Sequence, residues 1–381
     1  MAKKILIDAA HSEETRVVVA EGNQTLDFDF ESTDKQQITG NVYLAKVTRV
    51  EPSLQAAFLD YGGNRHGFLA FSEIHPDYYQ IPKADKDALL EEQAKAEEKY
   101  DQEKNNEISS EEESGKVNNS LEGSINTTES DNQDESVNSN ILPSESPNDS
   151  LFEEELPPRK RIFQRKYKIQ EVVKVRQILL IQVTKEERGN KGAALTSYIS
   201  IAGRYCVLMP NTSRGGGISK KITNVKDRQK LKDIIEKLNV EEGSGLIVRT
   251  AGGKRTKLEI KRDYEFLLKT WESIRAQTME SIAPAIIHEE GNLIKRAIRD
   301  LYNRDIDEII VEGDKSYKEA KNYLKLLMPS HAKYVKKYEG KIPIFSFFEV
   351  ENYLQEMFNP IVQLKSGGYI VIGITEALVA I

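Results

Sequence analysis

The strongest constraint on the fold of this chain is a segment that cannot join a packed core. From Glu103 to Asp149 the sequence is rich in Ser, Asn, Glu and Asp and has no aromatic residue. Such a segment cannot bury enough apolar surface to offset the entropy that ordering costs. We therefore predict that it is disordered and that the fold is built from the residues on either side of it.

The chain outside this segment is basic, although the whole chain is mildly acidic. The formal net charge of all 381 residues is −7. Between Lys83 and Pro158 there are 22 acidic and 6 basic residues, which leaves 39 acidic and 48 basic residues elsewhere. Directly after this acidic stretch, residues 159–168 read RKRIFQRKYK, with six basic residues in ten. The sequence is thus that of a basic protein that carries an acidic insert.

Cysteine content and hydropathy restrict the class of protein. Cys206 is the single cysteine, so no internal disulfide can form, and no Cys/His cluster has the spacing of a zinc site. The few apolar residues before Asp8 are too few for the core of a signal peptide. The sequence also has no apolar run long enough to span a bilayer. We expect a soluble, cytoplasmic protein of two or three domains.

Five short strand patterns surround the insert. Three precede it, at Val42–Val50, Leu54–Asp60 and His66–Phe71. Two follow it, in VRQILLIQVTKE (residues 175–186) and AALTSYISI (residues 193–201). Five strands with an excursion between the third and the fourth predict a small closed barrel of the OB type, a shape that often binds nucleic acid on one face.

One face of this predicted barrel carries aromatic and cationic side chains. Phe58 and Phe68 lie on neighbouring strands, and the positive or hydrogen-bonding groups nearby are Lys46, Arg49, His66, Lys185, Arg188 and Lys191. Bases stack on aromatic rings and phosphates bind lysine and arginine, which is the chemistry of single-stranded nucleic-acid binding. The alternative is that both phenylalanines are core residues.

The acidic insert has two possible roles. It either competes with RNA for the basic surfaces beside it or is a solvated linker.

Six motifs, in this order, carry a resemblance to a known family. They are RVEPSLQAAFLDYGGNRHGFL, KEERGNKGAALTSYISIAGRYCVLMPN, GGGISKKI, GLIVRTAG, SGGYIVI and TEALVAI. Together they closely resemble the catalytic half of bacterial ribonuclease E/G endoribonucleases, in the order that the family shows. The resemblance covers nearly all of the chain outside the insert.

The resemblance implies a multidomain fold of the α+β or α/β class. An RNase H-like subdomain would be interrupted by an OB-fold RNA-binding barrel and a sensor of the RNA 5′ end, with a DNase I-like subdomain beginning at the end of the sequence. The segments are RNase H-like 1–37 and 281–358, OB-fold 38–82 and 168–200, insert 83–167, sensor 201–280 and DNase I-like 359–381. Within the second RNase H-like segment, the pattern predicts helix, strand, helix, strand and a last helix at Phe347–Phe358.

The resemblance also implies binding residues. The positions that grip the RNA strand are Phe58, Phe68, Lys185 and Lys191. The positions that bind a 5′-monophosphate are Arg249 and Thr250, with Gly203 and Val207 as loop partners. A guanidinium fork matches phosphate geometry and a hydroxyl adds a donor, so the residue types suit this role.

Cleavage in this family needs a magnesium ion held by aspartates of the DNase I-like subdomain. The first of these aspartates directly follows a motif like TEALVAI, and this sequence ends at Ile381. We therefore expect neither the magnesium ligands nor the zinc-binding cysteines of the family within these 381 residues, and we expect the truncated chain to be inactive alone. The expected partners are single-stranded RNA, 5′-monophosphorylated RNA included, a complementing C-terminal chain and proteins of the degradosome type.

Three carboxylates outside this motif are alternative candidates for catalysis. Asp8 ends the first strand pattern, where a true RNase H has a metal ligand, and Glu308 and Glu312 flank a later strand. The alternative, solvent-facing acids at strand ends, is favoured because several carboxylates of defined geometry would be needed. Two functions from different classes stay open: an endoribonuclease of rRNA processing and mRNA decay, or an RNA-binding protein without catalysis of its own.

Overall fold

The computed structural model of the chain describes residues 2–11, 13–22, 24–32, 37–83, 85–86, 167–188, 191–212, 217–219, 221–238, 240–241, 243–303, 305–357, 359–364, 366–376 and 378–381. The predicted disordered segment Glu103–Asp149 lies outside these residues, as does nearly all of the predicted insert 83–167. No helix in the described part of the chain is long and apolar enough to cross a membrane.

The strands of the described residues are, in chain order, β1 Lys3–Asp8, β2 Glu14–Glu21, β3 Gln24–Ser32, β4 Val42–Glu51, β5 Ala56–Asp60, β6 Gly67–Ala70, β7 Ile178–Lys185, β8 Ala194–Thr196, β9 Ile201–Ala202, β10 Cys206–Met209, β11 Gly217–Ile218, β12 Gly245–Val248, β13 Ala285–His288, β14 Ile306–Glu312, β15 Val335–Lys337, β16 Ile361–Gln363, β17 Tyr369–Val371, β18 Gly373–Ile374 and β19 Val379–Ala380. The α-helices are α1 Ile169–Val172, α2 Val225–Glu236, α3 Lys257–Glu280, α4 Leu293–Asp300, α5 Asp314–Leu327, α6 Ile344–Phe347 and α7 Val350–Met357.

A five-stranded mixed sheet is assembled from both ends of the described chain. Its order is β15-β14-β1-β2-β3, in which β1 to β3 form an antiparallel meander and β14 and β15 run parallel to β1. The central strand β1 is buried from Ile5 to Asp8 without alternation, because helices cover both of its faces. On one face α4 and α5 pack against Ile5, Ile309 and their neighbours, and on the other α6 and α7 pack against Leu6 and its neighbours.

The predicted helix and strand order after Asn292 has one difference from the structure. The last predicted helix, Phe347–Phe358, is divided into α6, which ends at Phe347, and α7, which begins at Val350. Glu349 between them has a φ of 57°. A residue in the left-handed region cannot continue a right-handed helix, so the chain turns at this point.

The five strands predicted for the barrel do form a closed barrel. Its order is β4-β5-β6-β8-β7, and β7 pairs back onto β4 to close it. The pair β6 and β8 is parallel, and the other pairs are antiparallel. Ala45, Leu59, Leu69 and Ile181 are among the residues that fill the interior. Strand β13, which lies in the segment predicted to be RNase H-like, pairs with β4 beside the barrel.

A four-stranded sheet, in the order β11-β12-β10-β9, lies against the barrel. Helix α3 begins at a capping box in which the Thr256 hydroxyl accepts the Glu259 N–H and the Glu259 carboxylate accepts the Thr256 N–H. Val42, Leu44 and Leu180 of the barrel strands belong to the same hydrophobic core as residues of this sheet, α2 and α3. The barrel and the four-stranded sheet are therefore joined by a shared core.

The last described residues of the sequence form two short hairpins. Strands β16 and β17 pair first, and β18 and β19 pair next. The turn of the first hairpin has Gly367 at a φ of 90°, and the Leu364 N–H donates to the Gly368 carbonyl oxygen. A left-handed residue in a tight turn favours glycine, which explains Gly367 there.

Candidate nucleic-acid interface

A row of side chains crosses the barrel at one level. In cross-strand register, Arg49 on β4 lies opposite Phe58 on β5, and Phe58 lies opposite Phe68 on β6. Phe68 lies opposite Ala194 on β8, and Ala194 lies opposite Lys185 on β7. The row thus has two aromatic rings in the middle, a cation at each end, and a small residue between the second ring and Lys185.

The phenylalanine rings of this row lie outside the barrel core. Leu59 and Leu69, their neighbours in sequence, have no exposed surface, whereas Phe58 and Phe68 are half-buried. This is the alternation of a strand with one face inward and one outward. The two ring centroids are 5.9 Å apart, with an interplanar angle of 71°. The packing excludes the alternative that both phenylalanines belong to the core.

Arg49 is held beside the first ring of the row. Its guanidinium carbon lies 4.9 Å from the centroid of the Phe58 ring, a cation–π contact. Its Nη2 atom lies 3.8 Å from Glu51 Oε2, and the Arg49 side chain is 65% exposed. An ion pair this open to solvent is weak, so the ring contact is what places the cation in the row.

The loop between β7 and β8 brings two more cations to this face. Arg188 and Lys191 are exposed and exchange backbone hydrogen bonds of 3.2 and 3.0 Å. Gly192 packs so closely on the turn between β5 and β6 that a Cβ atom would overlap the His66 carbonyl oxygen. Only glycine allows this approach, and the approach fixes Lys191 near the exposed His66.

Glu187 joins this loop to the turn between β5 and β6. Its Oε1 atom accepts the Tyr61 hydroxyl at 2.8 Å and the Arg65 N–H at 3.3 Å. Burial and the bond to Glu187 both raise the pKa of Tyr61, so the phenol remains a hydrogen-bond donor. Glu187 was not among the predicted residues, because a contact across two loops leaves no local sequence pattern.

The predicted phosphate-sensing residues lie around the end of β12. The Arg249 N–H donates to the Tyr205 carbonyl at 2.8 Å, and Arg249 Nη1 donates to the Gly203 carbonyl at 3.0 Å. Thr250 follows in an exposed 3-10 turn. Val207, by contrast, is buried in the middle of the sheet, with cross-strand partners on β9 and β12. The structure therefore brings Arg249 and Gly203 into contact and leaves Thr250 at the surface beside them.

A buried carboxylate fixes the loop that contains Gly203. Asp263 on α3 accepts the backbone N–H groups of Arg204, Tyr205 and Cys206 at 3.2, 2.8 and 2.9 Å. A Cβ atom on Gly203 would lie 2.7 Å from Asp263 Oδ2, so glycine is needed for this carboxylate to approach. Burial raises the pKa of Asp263 above its ordinary value, although these three N–H groups act in the opposite direction.

Arg249 also ends a chain of ion pairs that reaches the five-stranded sheet. Its Nη1 atom donates to Asp300 Oδ1 at 2.6 Å. Asp300 Oδ2 accepts Arg299 Nε at 3.1 Å and Nη2 at 2.9 Å, and Arg299 Nη1 donates to Glu290. Burial alone would raise the pKa of Asp300, but Arg299 and Arg249 hold it below its ordinary value. Asp300 is therefore ionised at neutral pH.

The sequence contained one signal of this ion-pair chain. An acid at the C-terminal end of a helix is opposed by the helix dipole, and Asp300 is the last residue of α4. Such a position calls for a cationic partner from elsewhere in the fold. That partner is Arg249. Its identity depends on how the four-stranded sheet packs, and the sequence around Asp300 gives no information on this packing.

The acids at the strand ends of the five-stranded sheet are bound internally. Asp8 is only 6% exposed, so the prediction of a solvent-facing acid is wrong for it, and its Oδ2 atom accepts Arg16 Nη2 at 2.6 Å. Glu308 pairs with Lys4 and Lys336. Glu312 accepts the backbone N–H of Ile344 at 3.0 Å. These contacts give the acids structural roles.

Within the described ranges, no three His, Cys, Asp or Glu side chains are grouped so that they could hold a metal ion. These described residues therefore do not fit the magnesium site that the resemblance implies.

Comparison with known proteins identifies relatives of this chain. A family model described as the ribonuclease E/G family matches residues 200–381. Ribonuclease E of Haemophilus influenzae is 36% identical over 379 residues, which cover all of this chain and 32% of that protein. A putative ribonuclease E of Buchnera aphidicola subsp. Baizongia pistaciae is 32% identical over 380 residues, all of this chain and 73% of that protein. Ribonuclease G of Escherichia coli is 26% identical over 381 residues, all of this chain and 62% of that protein.

The chain thus spans about a third of the Haemophilus protein and nearly three quarters of the Buchnera protein. The similarity to the Buchnera protein extends over the whole of this sequence and most of the relative. This chain belongs to the ribonuclease E/G family.

Proposed function

We propose that this chain provides the RNA-binding and end-sensing part of a single-strand-specific endoribonuclease of RNA processing and decay. The observation that carries the proposal is the row across the barrel, with Phe58 and Phe68 between the cations Arg49 and Lys185. The names of the relatives, ribonuclease E and ribonuclease G, support RNA as the ligand.

The connectivity of the barrel supports its assignment as an OB fold. OB folds bind oligonucleotides on the face of their second and third strands and with the loops that join strands one to two and four to five. Here the second and third barrel strands are β5 and β6, which carry the two phenylalanines, and the loop between β7 and β8 carries Arg188 and Lys191. The aromatic and cationic groups therefore lie where this fold class binds nucleic acid.

The row can bind a single strand by two kinds of contact. Bases stack on the half-buried rings of Phe58 and Phe68, since every base has a π-face and stacking does not need a particular sequence. Backbone phosphates pair with Lys185 and Lys191 on one side and with Arg49 on the other. A duplex keeps its bases stacked inside, so these rings favour single-stranded RNA.

The site around Arg249 supports the proposed sensing of a 5′-monophosphate. The guanidinium of Arg249 and the exposed hydroxyl of Thr250 supply donors, and the loop of Gly203 is fixed by Asp263. An arginine that is already oriented loses less entropy when it binds a phosphate. The five-stranded sheet, with an antiparallel meander followed by two parallel strands, supports an RNase H-like subdomain with a structural role.

We propose RNA hydrolysis as the activity of the endoribonuclease to which this chain contributes, and we expect that activity to need magnesium. The residues described here bind and orient RNA. The second candidate function, RNA binding without catalysis by this chain, is favoured by the same row of side chains. A complementing chain and degradosome-type proteins remain predictions from the resemblance.

One experiment tests these functions together. The purified 381-residue chain is incubated with magnesium and single-stranded RNA of one sequence, carrying either a 5′-monophosphate or a 5′-hydroxyl, and binding and cleavage are both measured. We expect binding of both RNAs and a preference for the monophosphate that Arg249→Ala removes while general binding persists. A preference that persists in Arg249→Ala would contradict the sensor assignment. Cleavage by this chain that Asp8→Asn abolishes would contradict the structural role of Asp8.

A further inference from the structure

The guanidinium of Arg249 is held by two acceptors that belong to different parts of the molecule. Its Nη1 atom donates to the Gly203 carbonyl at 3.0 Å and to Asp300 Oδ1 at 2.6 Å. Gly203 lies in the loop between β9 and β10, whereas Asp300 ends helix α4, which packs on the five-stranded sheet. The Arg249 side chain is 11% exposed and that of Asp300 is 23% exposed. The pair therefore lies mostly out of solvent, at the edge of the proposed phosphate site.

Asp300 is itself fixed from behind. Arg299 donates to Asp300 Oδ2 through both Nε and Nη2, and Arg299 in turn donates to Glu290. Arg299 is 3% exposed, and burial of such a charge requires these two acidic partners. Asp300 thus offers one oxygen to Arg299 and the other to Arg249, so its position does not depend on Arg249.

We infer that Asp300 is a positioning residue for phosphate recognition, which orients the Arg249 guanidinium and thereby sets the preference for RNA with a 5′-monophosphate. This inference rests on the proposed sensing role of Arg249. Asp300 would not contact the RNA itself. Its carboxylate would act through Arg249, by limiting the orientations of a side chain that otherwise has many rotamers.

Two opposing effects of Asp300 on a bound phosphate have to be compared. The negative charge of Asp300 repels a phosphate, but its Oδ2 atom is bound by the two nitrogen atoms of Arg299, which compensate this charge at close range. The orientation of Arg249, in contrast, depends directly on Asp300, which binds the same Nη1 atom as the Gly203 carbonyl. Removing the carboxylate is therefore expected to lose more by misorientation than it gains by reduced repulsion.

The test is Asp300→Asn in the 381-residue chain, with a single-stranded RNA that carries either a 5′-monophosphate or a 5′-hydroxyl. The measured quantity is the ratio of the two dissociation constants. We expect the preference for the monophosphate to fall by about twofold or more, because neighbours in one charged network usually couple by at least this factor. Affinity for the 5′-hydroxyl RNA should stay unchanged, since that RNA depends on the barrel. A purely structural defect would weaken the binding of both RNAs.

Two further variants separate the possible explanations. Asp305→Asn removes the same charge from an exposed acid nearby and should leave the ratio unchanged, which controls for net charge. In the Arg249→Ala background, Asp300→Asn should have no further effect on the ratio, because a positioning residue acts only through its partner. Circular dichroism of each variant shows whether it is folded.

The outcomes also distinguish this inference from the function on which it rests. If the unsubstituted chain shows no preference for the monophosphate, the sensing function and the positioning role both fail. If Arg249→Ala removes the preference but Asp300→Asn keeps or increases it, the sensing function stands and the positioning role of Asp300 is wrong. If Arg249→Ala lowers the preference only in part, a further fall caused by Asp300→Asn in that background would equally overturn the positioning role.

Discussion

At the scale of single residues, Phe58 and Phe68 stand out because they lie on the outer face of the barrel and are only half-buried. A half-buried phenylalanine leaves apolar surface in water, and the adjacent leucines already fill the barrel. Two such rings in contact, with a guanidinium held over one of them, form a continuous surface for stacking. This surface supports the proposed stacking of bases on the two rings.

We expect the double variant Phe58→Ala and Phe68→Ala to weaken the binding of single-stranded RNA by a few kcal/mol, since each stacked base contributes about 1–3 kcal/mol. The measurement is fluorescence anisotropy of a labelled oligonucleotide at fixed salt. Phe30→Ala is the matched control, because Phe30 is 57% exposed on the edge strand β3, away from the row. Unchanged affinity in the double variant would rule out stacking on these rings.

At the scale of elements, local patterns predicted most of the fold. The alternating strands of the barrel and the helix and strand order after Asn292 follow from hydrophobic periodicity, which depends on neighbours in sequence. Local patterns did not predict two contacts that depend on packing between distant segments. These are the ion pair of Arg249 with Asp300 and the backbone hydrogen bonds that Asp263 accepts from the loop before β10. The division of the last helix at Glu349 was also missed, because a single left-handed residue leaves no periodic signal.

Gly192 fixes the loop between β7 and β8, which carries Arg188 and Lys191. Gly192→Ala tests whether the position of this loop matters for RNA binding. The new Cβ atom would meet the His66 carbonyl oxygen, so the loop between β7 and β8 must move away from the turn between β5 and β6. We expect the free energy of unfolding to fall by about 1–3 kcal/mol and RNA affinity to fall with it, measured by urea denaturation and anisotropy. Gly368→Ala is the control, since a Cβ atom there meets nothing within 4 Å. Full RNA affinity in Gly192→Ala would show that this loop does not place cations for RNA.

At the scale of the whole molecule, charge is divided between the acidic insert and the basic remainder. A segment of one charge sign linked to surfaces of the other sign can occupy them in place of an RNA backbone. The strength of such competition would depend on salt, because both contacts are electrostatic. This gives the sequence-based hypothesis of competition a measurable form.

Deletion of Glu103–Asp149 should raise RNA affinity at low salt and make that affinity fall more steeply as salt increases. The physical reason is that the deletion removes a competing polyanion, so that binding of RNA releases more counterions. The check is a series of binding curves between about 50 and 200 mM salt, with an insert of the same length in which Asp and Glu are replaced by Asn and Gln as control. If the deletion leaves both affinity and salt dependence unchanged, the insert is a solvated linker.

The shared core between the barrel and the four-stranded sheet has a consequence for how RNA length is read. Val42, Leu44 and Leu180 pack into the core beneath the sheet that carries Arg249. This shared core fixes the distance between the two phenylalanine rings and the proposed phosphate site. An RNA that reaches both sites binds the second at high effective concentration, whereas a shorter one gains nothing from it. The benefit of a 5′-monophosphate should therefore appear at a threshold number of nucleotides instead of growing gradually with length.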